Sequence, residues 1–260
     1  MSKKFLDLAG LTAYDEKLKG WFKSGLVDIT DDAIKALFVT VAEGPADNEI
    51  WYTTTDGQAL TFHPIITNER FGANIVSNTY ENGKGIITFD EPITSFYDPF
   101  SSELSLASIV IPNSVTSIGD GAFAGCSSLT SITIPNSVTR IGEGFFMGCS
   151  SLTSITIPNS VTYIDINAFS NCSSLTLIVI PYGVTSITEN LFYNCSALTS
   201  ITIPYSVTRI RSRAFYNCSS LTSITFEGTM EQWNFIEKDS DWNYNVPATY
   251  VQCSDGQVQL

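Results

Sequence analysis

Five cysteines recur at a constant interval of 23 residues. No other residue type in this chain combines such spacing with the capacity to bind metals or form disulfides. The five cysteines are Cys126, Cys149, Cys172, Cys195 and Cys218. A constant interval places one thiol in each repeat of a straight stack, so no four of them can surround a tetrahedral zinc ion. Neighbouring Cβ vectors run parallel rather than toward each other, which disfavours disulfides. The spacing predicts a ladder of buried, reduced thiols, while the sixth cysteine, Cys253, packs in a terminal module.

Acid–base and nucleophilic catalysis have few candidate residues. His63 is the only histidine, and no serine or cysteine near it belongs to a nucleophile motif. The acids Asp120, Glu143 and Glu189 occupy equivalent turns, so we expect them along one edge of a rod rather than across a cleft, as glycoside hydrolysis requires. The segment GKG at residues 83–85 lacks P-loop spacing and predicts a hairpin turn. We therefore expect no enzymatic activity, no metal and no cofactor.

The elements that position these residues repeat in phase with the cysteines. One unit reads L-x-x-I-x-I-P-x-x-V-x-x-I-x-x-x-x-F-x-x-C-x-x, with seven regularly apolar positions among 23. In one copy Ile132 and Ile134 alternate with a threonine, the period of a half-buried strand, and Pro135 ends that strand because it lacks an N–H. A second short extended piece follows, and then a compact helical or 3₁₀-like corner. The residues predicted to be buried in this copy are Leu129, Ile132, Ile134, Val138, Ile141, Phe146 and Cys149.

A single unit is too small to bury its apolar side chains alone, so neighbouring units must stack. Stacking gives each strand two parallel neighbours about 4.8 Å away. The periodicity therefore predicts a repeat solenoid of parallel β-strands with short helical corners over residues 106–226. Both ends of such a rod need caps.

The repeat resembles the BspA-like leucine-rich repeat family, whose unit has the same L-x-x-I-x-I-P, I-G, A-F and C positions. The resemblance extends over residues 84–226. The segments EIWYTTTDGQ and FGANIVSNTYENGKGIITFD resemble the leader of such arrays in gut-bacterial surface proteins, and EGTMEQWNFIEKDSDWNYNVPATYVQCSDG resembles their C-terminal module. The resemblance implies an adhesin at the cell surface or outside the cell that binds host proteins or other bacteria.

The N-terminal segment predicts an amphipathic helix over residues 1–26. Its apolar residues fall at spacings of 3, 4 and 3 and form a seam for docking or self-association; they are Leu11, Tyr14, Leu18 and Trp21. Alternatively, this helix packs on the neighbouring β-region. The segment also resembles the N-terminal helices of tail-associated proteins from gut bacteriophages. Because no apolar h-region follows its lysines, we expect no signal peptide here.

Turn and cap signals divide the rest of the flanks. Asp56–Gly57, with Ile50, Tyr52 and Phe62 nearby, predicts a hairpin within a small mixed region over residues 27–83. Residues 84–105 form a degenerate repeat or N-terminal cap, whose array-like apolar residues are Ile87, Phe89, Ile93 and Phe96.

The C-terminal cap is predicted over residues 227–260. The segment TMEQ at residues 229–232 predicts a capping box, followed by a helix that carries Trp233 and Ile236 over the last coil. The chain then ends in a hairpin around Asp255–Gly256.

The net charge of −13 lies in the flanks and not in the array. Residues 1–105 hold 16 acids and 8 bases, residues 106–226 hold 4 of each, and residues 227–260 hold 6 acids and 1 base. Nucleic acids and anionic membranes need a basic footprint, so neither is an expected partner. No apolar run approaches the length of roughly 18 residues that a membrane-spanning helix needs, so we expect no membrane insertion.

The outward positions that differ between copies are free to serve a ligand, because the inward positions must obey stacking. After the proline, early copies have Asn113, Asn136 and Asn159, whereas later copies have tyrosines; the F-x-x-C corner also acquires tyrosines. Tyrosine and arginine are among the residue types that contribute most to the free energy of binding at protein interfaces. The alternative is variation without function. The predicted partner contacts are Tyr182, Tyr193, Tyr205, Arg209, Arg211, Arg213 and Tyr216.

Two functions are compatible with these observations. The first is a non-catalytic, adhesin-like binding module that recognises a host or bacterial surface protein or glycan. The second is a structural or receptor-binding accessory protein of a phage tail, in which residues 1–26 dock or oligomerise and the array reaches outward. We favour the first because the resemblance extends over most of the chain.

Overall fold

The computed structural model of this protein describes residues 44–61 and 70–260. The helix predicted over residues 1–26, its seam of Leu11, Tyr14, Leu18 and Trp21, and His63 lie outside the described residues.

Three strands precede the array: β1 (Glu49–Thr54), β2 (Ile75–Glu81) and β3 (Lys84–Phe89). They pair in an antiparallel manner, with β1 next to β3 and β3 next to β2. Alternate residues of β1 and β3 are buried, as the period of two in their sequences requires.

Each coil of the array has a first strand at or after its leucine and a second strand after its valine, and β4 in the segment before the array is equivalent to these second strands. The first strands are β5 (Leu106–Val110), β7 (Ser131–Thr133), β9 (Ser154–Ile155), β11 (Leu177–Val179), β13 (Ser200–Ile203) and β15 (Ser223–Phe226). The second strands are β4 (Ser95–Phe96), β6 (Ser117–Ile118), β8 (Arg140–Ile141), β10 (Tyr163–Ile164), β12 (Ser186–Ile187) and β14 (Arg209–Ile210).

Successive coils pair in parallel with a register of one repeat. Ile109 of β5 faces Ile132 of β7, and Ile178 of β11 faces Ile201 of β13, which in turn faces Ile224 of β15. The second strands pair in parallel within three separate groups, β4 with β6, β8 with β10, and β12 with β14. The predicted solenoid of parallel strands is therefore confirmed. Its first strands form two sheets, which separate between β7 and β9.

The core is a column of apolar side chains that repeats once per coil. From Phe100 to Phe215, the phenylalanine rings of successive coils stack with centroids 5.3–5.8 Å apart and interplanar angles of at most 20°. Of the seven residues predicted to be buried in one copy, six are buried and Ile132 is half-buried. Ile132 lies in β7, which is the last strand of its sheet and lacks a hydrogen-bonded neighbour on one side.

The corner that carries the phenylalanine, which the sequence predicts to be helical or 3₁₀-like, consists of tight turns closed by hydrogen bonds between residues three apart. The N–H of Met147 donates to the carbonyl of Gly144, and the N–H of Cys149 donates to the carbonyl of Phe146. Gly144 and Gly148 have φ values of 58° and 77°. These left-handed residues interrupt the corner twice in quick succession, so a helix cannot propagate there.

The hairpin of the N-terminal region is not at the predicted position. Asp56–Gly57 follows β1, but residues 58–61 form no strand, and Phe62 lies outside the described residues. Instead, the Asp56 carboxylate accepts a bond from the N–H of Gln58, which closes a local turn. The hairpin joins β2 to β3 through Asn82 and Gly83, with φ values of 52° and 80°. This Asn-Gly pair fits a type I′ turn and overlaps the turn predicted at residues 83–85.

The predicted degenerate repeat at residues 84–105 follows the array only in its second half. There β4 pairs in parallel with β6, and the ring of Phe100 stacks on Phe123 at 5.4 Å. In the first half, β3 is separated from β5 because β1 lies antiparallel between them.

A short helix, α1 (Met230–Phe235), begins the C-terminal cap. Its capping box closes as the sequence predicts: the Thr229 hydroxyl accepts from the Gln232 N–H, and the Gln232 side chain accepts from the Thr229 N–H. Trp233 is buried, with its ring 5.5 Å from Phe226 and 6.1 Å from Trp242. The described residues include no helix with the length and hydropathy of a membrane-spanning segment.

The cap then continues both rows of strands. β16 (Glu237–Lys238) pairs in parallel with β14, and β17 (Tyr250–Cys253) pairs in parallel with β15. β18 (Gly256–Gln259) returns antiparallel to β17, which confirms the hairpin predicted at Asp255–Gly256.

Candidate binding surface

The cysteines form the predicted ladder of free, buried thiols. Each array thiol donates a hydrogen bond to the carbonyl of the phenylalanine position one coil earlier, as Cys149 does to Phe123 at 3.1 Å. Burial raises the pKa of every array thiol, to about 12 for Cys126. Cys253 is also buried within the cap. Such neutral thiols are poor nucleophiles and poor metal ligands.

Asp120 and Glu143 lie on successive turns of the array, and Glu189 lies on a later turn, where it lines a groove of about 550 Å³ together with Arg211 and Asp239. A carboxylate oxygen of Asp120 accepts a hydrogen bond from the backbone N–H of Glu143, at 2.9 Å, so this acid stabilises the next turn. Across residues 44–61 and 70–260, no cluster of three histidine, cysteine, aspartate or glutamate side chains has the geometry to hold a metal ion.

The seven predicted contact residues fall on three different sides of the coil. Tyr182 and Tyr205 follow the proline at the first corner. Arg209 belongs to the second strand β14, and Arg211 and Arg213 follow it. Tyr193 and Tyr216 precede the cysteine at the last corner. The structure therefore does not bring the seven residues together in one patch.

The three arginines contact the C-terminal cap. Glu237 of β16 accepts from both Arg209 and Arg211, at 3.1 Å each. The Nε atom of Arg213 lies 3.4 Å from a carboxylate oxygen of Asp241. These acids belong to the cap and not to the repeat. The arginines consequently help to join the last coil to the cap, a role that the sequence prediction missed.

Tyr193 and Tyr216 form the second group, which the cap extends by one ring. Their centroids are 5.2 Å apart, and Tyr244 of the cap stacks on Tyr216 at 4.7 Å. Tyr216 therefore has a tyrosine ring on each of its two faces, while Tyr244 at the end of the row stays 59% exposed.

Tyr182 and Tyr205 belong to an exposed surface that the predicted residues covered only in part. Their rings lie 6.0 Å apart and are 57% and 60% exposed. On the adjoining strand β11, the side chains of Leu177 and Val179 are 52% and 61% exposed. We refer to Leu177, Val179, Tyr182 and Tyr205 as the apolar patch.

The repeat itself distinguishes Leu177 from the equivalent residues of the other coils. Serine occupies its position in the other copies, including Ser154 and Ser200, the direct neighbours of Leu177 in the sheet. Val179 likewise pairs with Thr202. The outward face of the first strands is thus a row of hydroxyl side chains that Leu177 and Val179 interrupt in one coil, while Val110 alone departs from it in β5.

An acidic residue adjoins the apolar patch. The Tyr182 hydroxyl donates to a carboxylate oxygen of Glu227, at 3.0 Å, two coils further along. This hydrogen bond raises the pKa of Tyr182. Among the described residues, no basic side chain forms an ion pair with the exposed Glu227.

Known structures share parts of this architecture. The leucine rich repeat protein of T. pallidum is 31% identical over 53% of this chain and 64% of that chain, with a TM-score of 0.50. A leucine rich cell surface protein from Faecalibacterium prausnitzii A2-165 is 36% identical over 58% of this chain and 34% of that one, with a TM-score of 0.41. A leucine-rich repeat protein from Bacteroides ovatus ATCC 8483 is 24% identical over 66% and 54%, with a TM-score of 0.46.

The chain matches less than two thirds of the length of each of these three proteins. No curated protein matches its sequence. Residues 94–222 match the family described as BspA type leucine rich repeat region, in six copies. These copies coincide with the parallel coils and their phenylalanine and cysteine columns. Residues 94–222 accordingly form a BspA type leucine rich repeat region.

Proposed function

We propose that this protein is a non-catalytic binding module whose array recognises a protein partner through the apolar patch. One observation carries the proposal: Leu177 and Val179 are more than half exposed at positions where neighbouring coils have serine and threonine. Exposed aliphatic side chains do not help a solenoid to stack, and contiguous exposed apolar surface marks interaction sites.

The tyrosines strengthen this proposal. Tyr182 and Tyr205 replace the asparagine of the early copies, their rings lie 6.0 Å apart, and Tyr182 follows Val179 by three residues in the same coil. Tyrosine offers a large apolar ring with a polar tip, and few residue types contribute as much to interfaces. The four exposed side chains therefore combine aliphatic groups and aromatic rings with the two tyrosine hydroxyl groups.

The partner surface that fits is apolar with an adjacent lysine or arginine. Apolar side chains of the partner would cover Leu177 and Val179, while its cation would pair with Glu227. The array carries no excess of charge that would attract nucleic acid.

We extend the proposal to location: the protein acts as an adhesin at a cell surface or outside the cell, on a host or bacterial protein. This part rests on the family resemblance. The phage-tail alternative depends on residues 1–26, which lie outside the described residues, and it stays a prediction.

The test uses replacements taken from the chain's own repeat. The triple variant L177S/V179T/Y182N installs the residues of neighbouring coils, so its strands and turns should form normally. The full chain and the variant are screened by surface plasmon resonance against purified host extracellular proteins and bacterial surface proteins. We expect the variant to bind the wild-type partner about thirtyfold more weakly or worse, which is the effect of losing one strong anchor.

Y163S is the matched control. It removes an exposed tyrosine from a second strand and installs the serine found at the same position in other coils, away from the apolar patch. Its affinity should equal that of the wild type. Equal affinity of the triple variant, with an unchanged circular dichroism spectrum, would remove the apolar patch as the binding site.

A further inference from the structure

A polar groove lies beside the last corner of the C-terminal coils, on a different side of the coil from the apolar patch. Its volume is about 530 Å³. Four asparagines line it, Asn171, Asn194, Asn217 and Asn245, together with the serine two residues after each of the first three. No charged side chain takes part. We refer to these residues as the asparagine groove.

The asparagine amides form a continuous ladder. Asn194 donates to Asn171 at 3.0 Å, Asn217 donates to Asn194 at 3.0 Å, and Asn245 donates to Asn217 at 3.1 Å. An amide has two N–H donors and two acceptor lone pairs. The two inner amides therefore keep one donor and one acceptor each after the ladder is complete, repeated at the spacing of the coils, about 4.8 Å.

Backbone conformation alone does not require these asparagines. All four have φ values of 58–61°, and the same position in the first two coils is occupied by Gly125 and Gly148, with φ values of 74° and 77°. Glycine meets this left-handed requirement at least as well. The amide side chains are therefore an addition in the later coils.

A tyrosine accompanies three of these asparagines. Tyr193, Tyr216 and Tyr244 each immediately precede one and stack on each other at 5.2 Å and 4.7 Å. The last Tyr-Asn pair belongs to the cap, whose sequence does not follow the repeat. The cap nevertheless places it in register, because the Asn217 N–H donates to the Tyr244 carbonyl at 2.9 Å.

We propose that the asparagine groove binds a neutral, extended oligosaccharide. A chain of sugar rings offers hydroxyl donors and acceptors at regular intervals. The donor and the acceptor that remain on each of the Asn194 and Asn217 amides can form hydrogen bonds with these hydroxyl groups. The exposed hydroxyls of Ser173, Ser196 and Ser219 form the opposite wall. Because the groove has no charge, an anionic sugar gains nothing there and is repelled by the acidic protein.

The proposal is independent of the protein partner at the apolar patch, and the test separates the two. The full chain is titrated calorimetrically with neutral tetrasaccharides of glucose, galactose, mannose and N-acetylglucosamine in α and β linkages, and with sialylated and sulfated counterparts. We expect at least one neutral tetrasaccharide to bind, with an affinity that changes by less than about twofold between about 50 and 500 mM salt, since no ion pair contributes.

The key variant is N194G/N217G, which installs the glycine of the early coils. It should weaken binding about tenfold or more, since it removes the hydrogen bonds of two subsites. The matched control is N167G/N190G: these asparagines also have positive φ, at positions where Gly121 and Gly144 stand in other coils. The control and L177S/V179T/Y182N should both bind the sugar normally.

Three results would overturn the proposal. They are the absence of binding by every neutral tetrasaccharide, binding of the anionic sugars as tight as that of the neutral ones, and an unchanged affinity of N194G/N217G. None of these results bears on the apolar patch, whose test uses protein partners.

Discussion

The thiol of Cys172 donates a hydrogen bond to the carbonyl oxygen of Phe146, 3.1 Å away in the preceding coil. Cys195 and Cys218 make the same bond to Phe169 and Phe192. A thiol ladder and a column of stacked rings are therefore linked once per coil. Because the thiol satisfies a buried carbonyl group, cysteine at this position stabilises the turn in addition to filling space.

The first prediction concerns thiol reactivity. Burial raises the pKa of Cys172 and Cys218 to about 12, so these thiols stay neutral and covered at pH 8. With a thiol reagent and no reductant, the native array should be nearly inert, whereas all five array thiols should react in denaturant. Fewer than five reactive array thiols after unfolding would mean that neighbouring coils are bridged by disulfides.

Alkaline pH should destabilise the fold through the same thiols. Their pKa is raised in the folded state above the unfolded value of about 8.5. Below pH 8.5 both states hold their protons, and the stabilisation is complete. Above it the unfolded thiols ionise first, so the free energy of unfolding falls up to a pH of about 12, by about 1.4 kcal/mol per thiol for each pH unit.

Urea unfolding between pH 7.5 and 10 measures this loss. The Cys172→Ala variant starts less stable because of its cavity, but one fewer thiol titrates in it. Its stability should therefore fall less steeply with pH than that of the wild type, by the share of one proton. Parallel curves for the two proteins would show that Cys172 does not contribute to the pH dependence.

Truncation of a stacked phenylalanine should be costly. Phe169 is fully buried, and its ring lies 5.5 Å from Phe146 and 5.6 Å from Phe192. Phe169→Ala should lower the free energy of unfolding by about 3–5 kcal/mol, because it removes apolar contacts and leaves a cavity between two coils. Phe235→Ala is the control: that side chain is 80% exposed, so we expect a change within about 0.5 kcal/mol. The free energy of unfolding is measured by urea unfolding. Similar losses in both variants would contradict the conclusion that the stacked phenylalanine rings form the core.

The array could be predicted from sequence because each coil repeats the environment of the previous one. A leucine, isoleucine or phenylalanine that returns once per repeat can remain buried in every copy only if the copies stack in register, as Ile178 and Ile201 do. At the corners, left-handed residues such as Gly148 limit the backbone to short turns, and the repeat pattern alone does not distinguish such turns from a short helix.

The N-terminal sheet could not be predicted in the same way, because its pairing is not local. Tyr52 of β1 faces both Gly85 of β3 and Ile109 of β5, so its two neighbours in the sheet are distant along the chain. The local sequence offers two similar turn signals, Asp56–Gly57 after β1 and the segment around Gly83, and only the second closes a hairpin between strands of the sheet.

Only part of the candidate sites could be predicted, because some of their contacts involve the cap, whose sequence does not follow the repeat. Departures from the repeat identified Tyr182 and Tyr205 as outward residues, and both are exposed. The partners of the arginines could not be inferred, since Glu237 and Asp241 belong to a cap that does not follow the repeat. The asparagine ladder was visible as an asparagine before each of three cysteines, but its hydrogen bonds depend on side-chain geometry.

The last prediction concerns a glycine in β3. Gly85 faces Tyr52 across the sheet, and a Cβ at Gly85 would overlap the Tyr52 ring. That ring is buried and cannot move aside, because its hydroxyl donates to Asn78 at 2.5 Å and accepts from the Leu60 N–H at 3.2 Å. Gly85→Ala should therefore lower the free energy of unfolding by about 1–3 kcal/mol, as overpacked cores do.

Two variants test the cause of this loss. At Gly44 a Cβ would meet nothing within 4 Å, so Gly44→Ala should leave stability nearly unchanged. Tyr52→Leu removes the ring that the new methyl group would strike, so adding Gly85→Ala to it should cost less than adding Gly85→Ala to the wild type. An equal cost in both backgrounds, from urea unfolding of the four proteins, would place the strain in the backbone of β3 and not against Tyr52.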